Sequence, residues 1–376
     1  MAPALPQPGA RQQRRANNVR TLSLFNRKRS VVGLDIGSSA VKAVELKASG
    51  KGYRVAAFGS EPVPPDSIVD GAIIDGTAVA DAIRRVFASK AFKTKEVAAS
   101  LSGNAVIVKK ISLPVMTAAE LDESIYWEAE QYIPFDIQDV NLDYQILDAG
   151  RGAESKGTME VLLVAAKKEK IADYTAVIAQ AGRIPIVVDV DAFALQNAYE
   201  LNYGFDPGAV VVLLNAGASA ININIVAGAQ SVFTRDVSLG GNAYTEAVQR
   251  ELNLPFESAE LLKKGLPVDG ATFEDALPVL RAMTENVLLE VQKTFDFFKA
   301  TASTDHIDRI MLSGGASRVD GFAEALQERF GTPVEVFDPF KKVVFDGKKF
   351  TPEQRELVGQ TAAVAVGLAL RRAGDR

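Results

Sequence analysis

Two short stretches of the chain carry nearly the same residues around a turn of small side chains. The first, VVGLDIGSSAVKAVEL, covers residues 31–46, and the second, VVLLNAGASAININIV, covers residues 211–226. They align without a gap at an offset of 180 residues, so that Gly37 matches Gly217. Turns of glycine, serine and alanine leave backbone N–H groups open to a bound anion. Two such turns facing each other would clamp a polyphosphate between them.

Two further glycine pairs lie just before predicted helices. Gly240 and Gly241 precede the helical stretch NAYTEAV, and Gly314 and Gly315 follow the strand-like stretch IDRIML. At such junctions the backbone can approach a flat base or a ribose closely, because no Cβ atom intervenes. Either pair alone would indicate an ordinary turn, but together with the duplicated turn they favour a nucleotide site.

Strand and helix signals surround these turns. In each copy a β-branched run enters the turn, and in the second copy Ile221, Ile223 and Ile225 alternate with asparagines, the pattern of a strand with one apolar face. Each copy therefore predicts a hairpin. Further along, apolar residues at helical spacing predict a long helix packed on a core: Val287, Leu288, Val291, Phe295 and Phe298.

The segment between the two copies predicts the order strand, helix, strand, strand, helix. One strand is expected from Glu96 to Pro114. Thr117 and Glu120 then have the spacing of a helix-capping box, and Pro134 ends the helix. The expected core face of this helix consists of Leu121, Ile125, Ala129 and Tyr132.

Length and charge limit the classes of function. A chain of 376 residues predicts two domains, and no apolar run approaches the ~18 residues of a membrane span. There is no cysteine, which excludes disulfides and thiolate sites. Residues 1–30 hold seven basic side chains and no acid, so the remainder has a net charge of −12. The acidic remainder argues against nucleic-acid binding. The leader has the composition of a disordered tail, and weak attraction to an anionic membrane is the alternative interpretation.

The motifs GLDIGSSAVKAVEL, LNAGASAININIV, DVSLGGNAYTEAV and MLSGGASRVDGFAEAL resemble the phosphate and adenosine motifs of the actin, sugar-kinase and Hsp70 superfamily. Longer segments, among them WEAEQYIPFDIQDVNLDYQIL and LLVAAKKEKIADYTAVIAQAG, resemble the PilM family of type IV pilus assembly proteins, which are relatives of the cell-division protein FtsA. The resemblance extends over about residues 22–376. It implies an α/β fold, the two-domain actin-like fold with an FtsA/PilM-type inserted subdomain in the first domain.

The resemblance also implies domain limits and a nucleotide site. The expected parts are a leader (1–30), a first domain (31–206) with an insert at about 97–183, a second domain (207–340) and a segment returning to the first domain (341–376). ATP and Mg²⁺ are the expected cofactors, with Asp35 orienting Mg²⁺ through water. The expected nucleotide-binding residues are Asp35, Gly37, Ser38, Ser39, Lys42, Asn215, Gly217, Ala218, Ser219, Gly240, Gly241, Glu260, Lys263, Gly314, Gly315 and Ser317.

The two copies differ at one chemically important position. Asp35 in the first copy corresponds to Asn215 in the second, where many relatives carry an acid that helps to hold the metal and to position the attacking water. Asparagine has no negative charge, although it can still accept a hydrogen bond from a metal-bound water. We therefore expect ATP to bind and its hydrolysis to be slow or absent. No catalytic residue is assigned.

The resemblance implies a partner and a location. The partner is the N-terminal cytoplasmic tail of the inner-membrane protein PilN, held in a groove between the insert and the first domain. The expected wall of this groove is Tyr126, Trp127, Tyr132, Ile133 and Phe135. Other expected partners are further pilus components, including the assembly ATPase, and copies of the chain in a ring. The expected location is cytoplasmic, at the inner membrane through these partners.

Two other classes of function stay open at this point. One is an FtsA-like filament-forming ATPase, and the other is a small-molecule kinase of the same fold. A kinase would need an acid in a substrate pocket, and Asn215 argues against it. An FtsA-like protein generally ends in an amphipathic membrane helix, whereas this sequence ends in GLALRRAGDR.

Overall fold

The computed structural model describes residues 30–88, 91–148, 157–302, 306–345 and 350–375. The predicted leader, apart from Ser30, lies outside these residues. Within the described residues, no helix is both long enough and apolar enough to cross a membrane.

The first part of the chain forms most of a large sheet and one covering helix. Its elements are β1 (Val32–Ile36), β2 (Ala40–Ser49), β3 (Gly52–Pro62), the short strands β4 (Ile68–Val69) and β5 (Ala72–Ile73), α1 (Gly76–Ala88) and β6 (Glu96–Leu101). The helix α1 packs its apolar side, including Val79 and Ile83, on the sheet.

An inserted subdomain, which we define as residues 103–167, follows β6. It begins with a 3₁₀ turn (Gly103–Ala105) and contains β7 (Val106–Pro114), α2 (Ala118–Glu130), a second 3₁₀ turn (Ile137–Asp139), β8 (Val140–Asp148) and β9 (Thr158–Lys167). The three strands form an antiparallel sheet in the order β7-β9-β8. The helix α3 (Lys168–Gln180) then packs on the core of the first domain.

The predicted capping box of α2 is confirmed. The Thr117 backbone N–H donates to Glu120 Oε2 at 2.7 Å, and the Glu120 N–H donates to Thr117 Oγ1 at 3.3 Å. The predicted element order is also confirmed. The single strand expected from Glu96 to Pro114 is wrong, because the chain turns at Gly103, whose φ of 76° lies in the left-handed region. Residues 96–101 join the large sheet, and only β7 belongs to the insert.

The chain then completes the first sheet and crosses to the second domain. Its next elements are β10 (Ile184–Val190), α4 (Asp191–Tyr203), β11 (Val210–Ala216), β12 (Ile221–Ala227), β13 (Gln230–Val237), α5 (Gly241–Leu252), α6 (Phe256–Lys263), α7 (Phe273–Thr301), β14 (Arg309–Ser313), α8 (Phe322–Phe330) and β15 (Val334–Val336). The second sheet has the order β13-β12-β11-β14-β15. The predicted apolar stripe of α7 is buried in its core.

The last elements return to the first sheet. They are β16 (Val343–Val344), α9 (Pro352–Gly359) and α10 (Ala363–Leu368). Strand β16 pairs with β3, which gives the first sheet the order β10-β6-β1-β2-β3-β16. Helix α10 packs between β1 and α4, and glycines lie at both contacts: Gly33 on the strand and Gly367 on the helix.

Both predicted hairpins are confirmed, and they have the same register. In the first, Asp35 pairs with Lys42, and in the second Asn215 pairs with Asn222, so that the 180-residue offset of the sequence is also the offset of the pairing. Each hairpin lies inside its own sheet.

Candidate functional site

The two small-residue turns meet across the cleft between the domains. Each is closed by the same hydrogen bond: the Gly37 N–H donates to the Ala40 carbonyl at 3.2 Å, and the Gly217 N–H donates to the Ala220 carbonyl at 2.9 Å. At the tips, Ser38 Oγ donates to Ser219 Oγ at 2.9 Å. The neighbouring Ser39 is exposed. The structure therefore brings together the two halves of the predicted phosphate clamp.

Asp35 lies at the end of β1, beside the first turn. Lys42, its partner on β2, places Nζ 3.0 Å from Asp35 Oδ2, and both side chains are about one-sixth exposed. A carboxylate at the cleft supplies the oxygen ligand or water acceptor that Mg²⁺ prefers. The adjacent ammonium group supplies a charge that suits a phosphate. The chemistry of this pair would suit a magnesium nucleotide, in which Asp35 would orient the ion and Lys42 would face a phosphate.

The second turn is held by the glycine pair at the start of α5. The Gly241 N–H donates to the Gly217 carbonyl at 2.9 Å, and the Asn242 N–H donates to the Ala218 carbonyl at 2.8 Å. A Cβ atom on Gly240 would lie 2.5 Å from the Ala218 oxygen, so no larger residue fits there. The start of α5, with its glycine pair, thus holds the second phosphate turn in position through these backbone hydrogen bonds.

Glu260 and Lys263 lie together next to α5. The Lys263 ammonium group donates to the Gly241 carbonyl at 2.9 Å and to Thr245 Oγ1 at 2.8 Å, and it lies 2.5 Å from Glu260 Oε2. These three partners use all three of its N–H groups. Burial lowers the pKa of Lys263, and the charge of Glu260 opposes this shift. Burial raises the pKa of Glu260, but Lys263 and the hydrogen bonds around it lower that pKa more. Lys263 therefore positions Gly241 in this structure.

The second glycine pair has two different environments. Gly314 has a φ of 92°, and a Cβ atom on it would lie 2.2 Å from the Ala216 oxygen, so this glycine is required by backbone geometry. Ser317 Oγ donates to the Gly314 carbonyl at 2.6 Å. Gly315 is exposed, and a Cβ atom on it would meet no atom within 4 Å. Gly315 is thus the member of the pair that leaves room for a base or ribose.

Asp191 is a cleft residue to which the sequence patterns assigned no role. It is the first residue of α4, and Ser100 Oγ donates to its Oδ1 at 2.5 Å. Burial, reinforced by the negative charges of Asp35 and Asp236, raises the pKa of Asp191 to about 7, against the opposing hydrogen bonds from Ser100 and Ser102. The available signal was an acid at a strand-to-helix junction in VVDVDAFAL.

The raised pKa of Asp191 predicts a pH-dependent stability. The folded state holds its proton up to about pH 7, whereas the unfolded chain releases it near the ordinary value of 3.8. The unfolding free energy contributed by this group therefore falls as the pH rises through that window. Asp191→Asn keeps an acceptor for Ser100 without titrating. Unfolding in urea is measured without nucleotide and magnesium. Between pH 4 and pH 7 we expect the unfolding free energy of the variant to rise relative to that of the wild type, by on the order of a few kcal/mol. A stability difference that does not change with pH would contradict this assignment.

The predicted partner-binding residues do not form one uniform surface. Tyr126 and Trp127 are 50% and 74% exposed, and Trp127 lies away from the core-facing stripe of α2. Ile133 is buried in the core of the insert. Tyr132 and Phe135 are half-buried against that core, with Lys109 Nζ 5.3 Å and Lys167 Nζ 4.2 Å from the respective ring centroids.

Comparison with known proteins agrees with this geometry. A family model described as type IV pilus assembly protein PilM matches residues 33–373. A solved structure described as a PilM-PilN type IV pilus biogenesis complex is 31% identical, with a TM-score of 0.81, and the match covers 92% of this chain and 98% of that chain.

More distant solved structures share the fold. The ethanolamine utilization protein EutJ from Carboxydothermus hydrogenoformans is 17% identical, with a TM-score of 0.53 and coverage of 91% of this chain and 89% of that one. MreB5 of Spiroplasma citri bound to AMPPNP is 12% identical, with a TM-score of 0.50 and coverage of 91% and 95%. The fold is the actin-like two-domain fold. On the match of the family model over nearly the whole chain, this protein belongs to the PilM family of type IV pilus assembly proteins.

Proposed function

We propose that this protein is an ATP-binding scaffold of the type IV pilus machine and that it docks the N-terminal tail of PilN. The observation that carries the proposal is the likeness, over 92% of the chain, to a structure described as a PilM-PilN complex. The scaffold would lie on the cytoplasmic side of the inner membrane through this partner. It would link PilN to the assembly ATPase and to other pilus components, and copies of it could form a ring.

ATP and Mg²⁺ are the proposed cofactors. Backbone N–H groups of Ser38, Ser39, Ala218 and Ser219 and the Lys42 ammonium group would hold the phosphates, and Asp35 would orient the metal through water. The ion would neutralise phosphate charge. Gly315 would lie against ribose and base. The contact between Ser38 and Ser219 supports this proposal, because it shows that both turns reach one point in the cleft.

Hydrolysis is expected to be slow. The amide of Asn215 makes two hydrogen bonds to neighbouring side chains: its Nδ2 donates to Asn222 Oδ1 at 3.0 Å, and its Oδ1 accepts from Ser313 Oγ at 3.3 Å. It has no charge with which to hold a metal. Phosphate release in saturating ATP should therefore be far slower than the ~1–100 s⁻¹ of kinases. Turnover in that range would contradict a scaffold and favour the kinase alternative, whereas ATP-dependent sedimentation of the chain alone would favour the filament alternative.

The proposed docking surface for the PilN tail lies at the C-terminal end of α2 and the residues that follow it, among them Trp127 and Phe135. An extended tail with alternating apolar residues would bury its side chains there and pair its backbone with a strand edge. We expect the fluorescence of Trp127, the only tryptophan, to shift when a synthetic PilN tail peptide is added. Truncating a central aromatic typically costs ~2 kcal/mol or more. Phe135→Ala should therefore weaken peptide binding at least ~10-fold without changing ATP affinity.

A matched control separates docking from general damage. Phe297 on α7 is 55% exposed and belongs to the second domain, so Phe297→Ala should leave peptide binding unchanged. Circular dichroism of Phe135→Ala should match that of the wild type. If the peptide binds tightly while Trp127 emission stays constant and Phe135→Ala has no effect, the docking groove lies elsewhere on the molecule.

A further inference from the structure

Three polar side chains form a hydrogen-bonded row across the second sheet. Asn215 Nδ2 donates to Asn222 Oδ1 at 3.0 Å, and Asn222 Nδ2 donates to Asp236 Oδ1 at 2.8 Å. These residues are cross-strand partners on β11, β12 and β13. The other carboxylate oxygen, Asp236 Oδ2, accepts from the backbone N–H of Gly103. The row therefore starts beside the second phosphate turn and ends at the first residue of the inserted subdomain.

The direction of donation along this row is fixed by its acceptor. A carboxylate only accepts, so Asn222 must turn its NH₂ group toward Asp236 and its carbonyl oxygen toward position 215. Position 215 must then donate, which asparagine does and an ionised aspartate does not. Asn215 thus has a structural reason at this position: its amide donor completes the row from the phosphate turn to the insert.

Strand β13 is the part of the second domain that contacts the insert. It is an edge strand of its sheet, and it packs against β7. Asp236 makes its contact near one end of β13, and at the other end Gln230 Nε2 donates to the Leu147 carbonyl at 3.3 Å. Of these two side chains, only Asp236 is also hydrogen-bonded to Asn222, which in turn contacts Asn215 on the strand that enters the phosphate turn.

We propose that Asp236 is a positioning residue that latches the inserted subdomain to the second domain, and that nucleotide at the second turn moves the insert through this latch. The proposal deepens the proposed function, on which its nucleotide step rests, because the insert carries the proposed docking surface for PilN. Coupling of this kind is reciprocal, so a partner held by the insert would in turn change nucleotide affinity. A contiguous hydrogen-bonded network, here across three neighbouring strands, is a physical route by which two sites can be coupled.

The test measures the distance between the insert and the second domain. The chain has no cysteine, so spin labels can be attached specifically through Ser112→Cys on β7 and Ala282→Cys on α7, both at exposed positions. The distance between the labels is measured by pulsed electron–electron double resonance, with and without saturating Mg·ATP. Calorimetry on the labelled protein measures ATP binding. Two variants break the row. Asp236→Asn removes one of the two acceptor oxygens, and Asn215→Asp removes the donor that faces Asn222. Gln230→Ala is the matched control.

The expected results separate the latch from the proposed function. Without nucleotide, Asp236→Asn and Asn215→Asp should broaden the distance distribution relative to the wild type and Gln230→Ala. Mg·ATP should shift the wild-type and Gln230→Ala distances by about 2 Å or more, and it should not shift those of the two latch variants. The latch is overturned if both latch variants match the wild type in both states, or if bound ATP leaves the wild-type distance unchanged. If calorimetry detects no ATP binding, the proposed ATP-binding function fails. The distance distributions of the variants and the wild type without nucleotide then decide alone whether the latch exists.

Discussion

Replacing Asp35 with alanine should weaken the binding of Mg·ATP by about 10–100-fold, the usual cost of losing a residue that orients a metal through its hydration shell. Asp35 lies at the cleft, where its only described polar side-chain contact is Lys42 Nζ at 3.0 Å. The fold should survive, because the removed carboxylate is a cleft group and its loss also takes one negative charge away from Asp191, whose pKa that charge helps to raise.

The dependence on magnesium makes the test of Asp35 specific. In calorimetric titrations, ATP affinity of the wild type should fall when Mg²⁺ is chelated, whereas the affinity of Asp35→Ala should be the same with and without Mg²⁺. Asp81→Ala, which removes an exposed carboxylate on α1, should behave like the wild type. Unchanged Mg·ATP affinity in Asp35→Ala would refute the assigned role, and a collapsed circular-dichroism spectrum would show that Asp35 is structural.

The second large effect is expected at Gly367. A Cβ atom there would lie 1.7 Å from the carbonyl oxygen of Ala194 and 2.4 Å from its carbonyl carbon, so α10 and α4 would have to separate. The opposite side of α10 offers no room, because a Cβ atom on Gly33 would already lie 2.0 Å from the Ala365 oxygen. Overpacking typically costs about 1–3 kcal/mol, and a backbone clash on this scale belongs at or above the upper end, at about 3 kcal/mol.

A second glycine near the end of the chain provides the control for this prediction. Gly359, the last residue of α9, has no atom within 4 Å of its Cβ position. Gly367→Ala should move the urea unfolding midpoint to clearly lower urea, whereas Gly359→Ala should leave it unchanged or raise it slightly. Equal midpoints for the two variants would show that Gly367 of α10 does not pack directly on the backbone of Ala194 in α4.

Local patterns predicted the elements around the site well. The duplicated turn, the alternating isoleucines and the Thr117–Glu120 capping box are each set by neighbours within a few residues, and each is present in the structure. The stripe on α7 depends only on helical period, and it is buried as predicted. Such features can be predicted because backbone geometry and apolar periodicity are local.

The features that the patterns did not supply depend on contacts between distant residues. The break between β6 and β7 requires Gly103 to leave one sheet and enter another subdomain. The raised pKa of Asp191 results from burial among groups far apart in the sequence. The hydrogen bond from Gly103 to Asp236 joins residues 133 positions apart. No local pattern indicates which distant partner a polar side chain will meet.

The most direct test of a nucleotide-dependent scaffold is a calorimetric titration of the ATP-loaded protein with a synthetic peptide of the PilN N-terminal tail. A peptide of the same composition in scrambled order serves as the control. We predict one saturable binding event for the native order, none for the scrambled order, and a different affinity when ATP is omitted. The absence of binding by the native peptide to the ATP-loaded, folded protein would contradict a scaffold that docks the PilN tail.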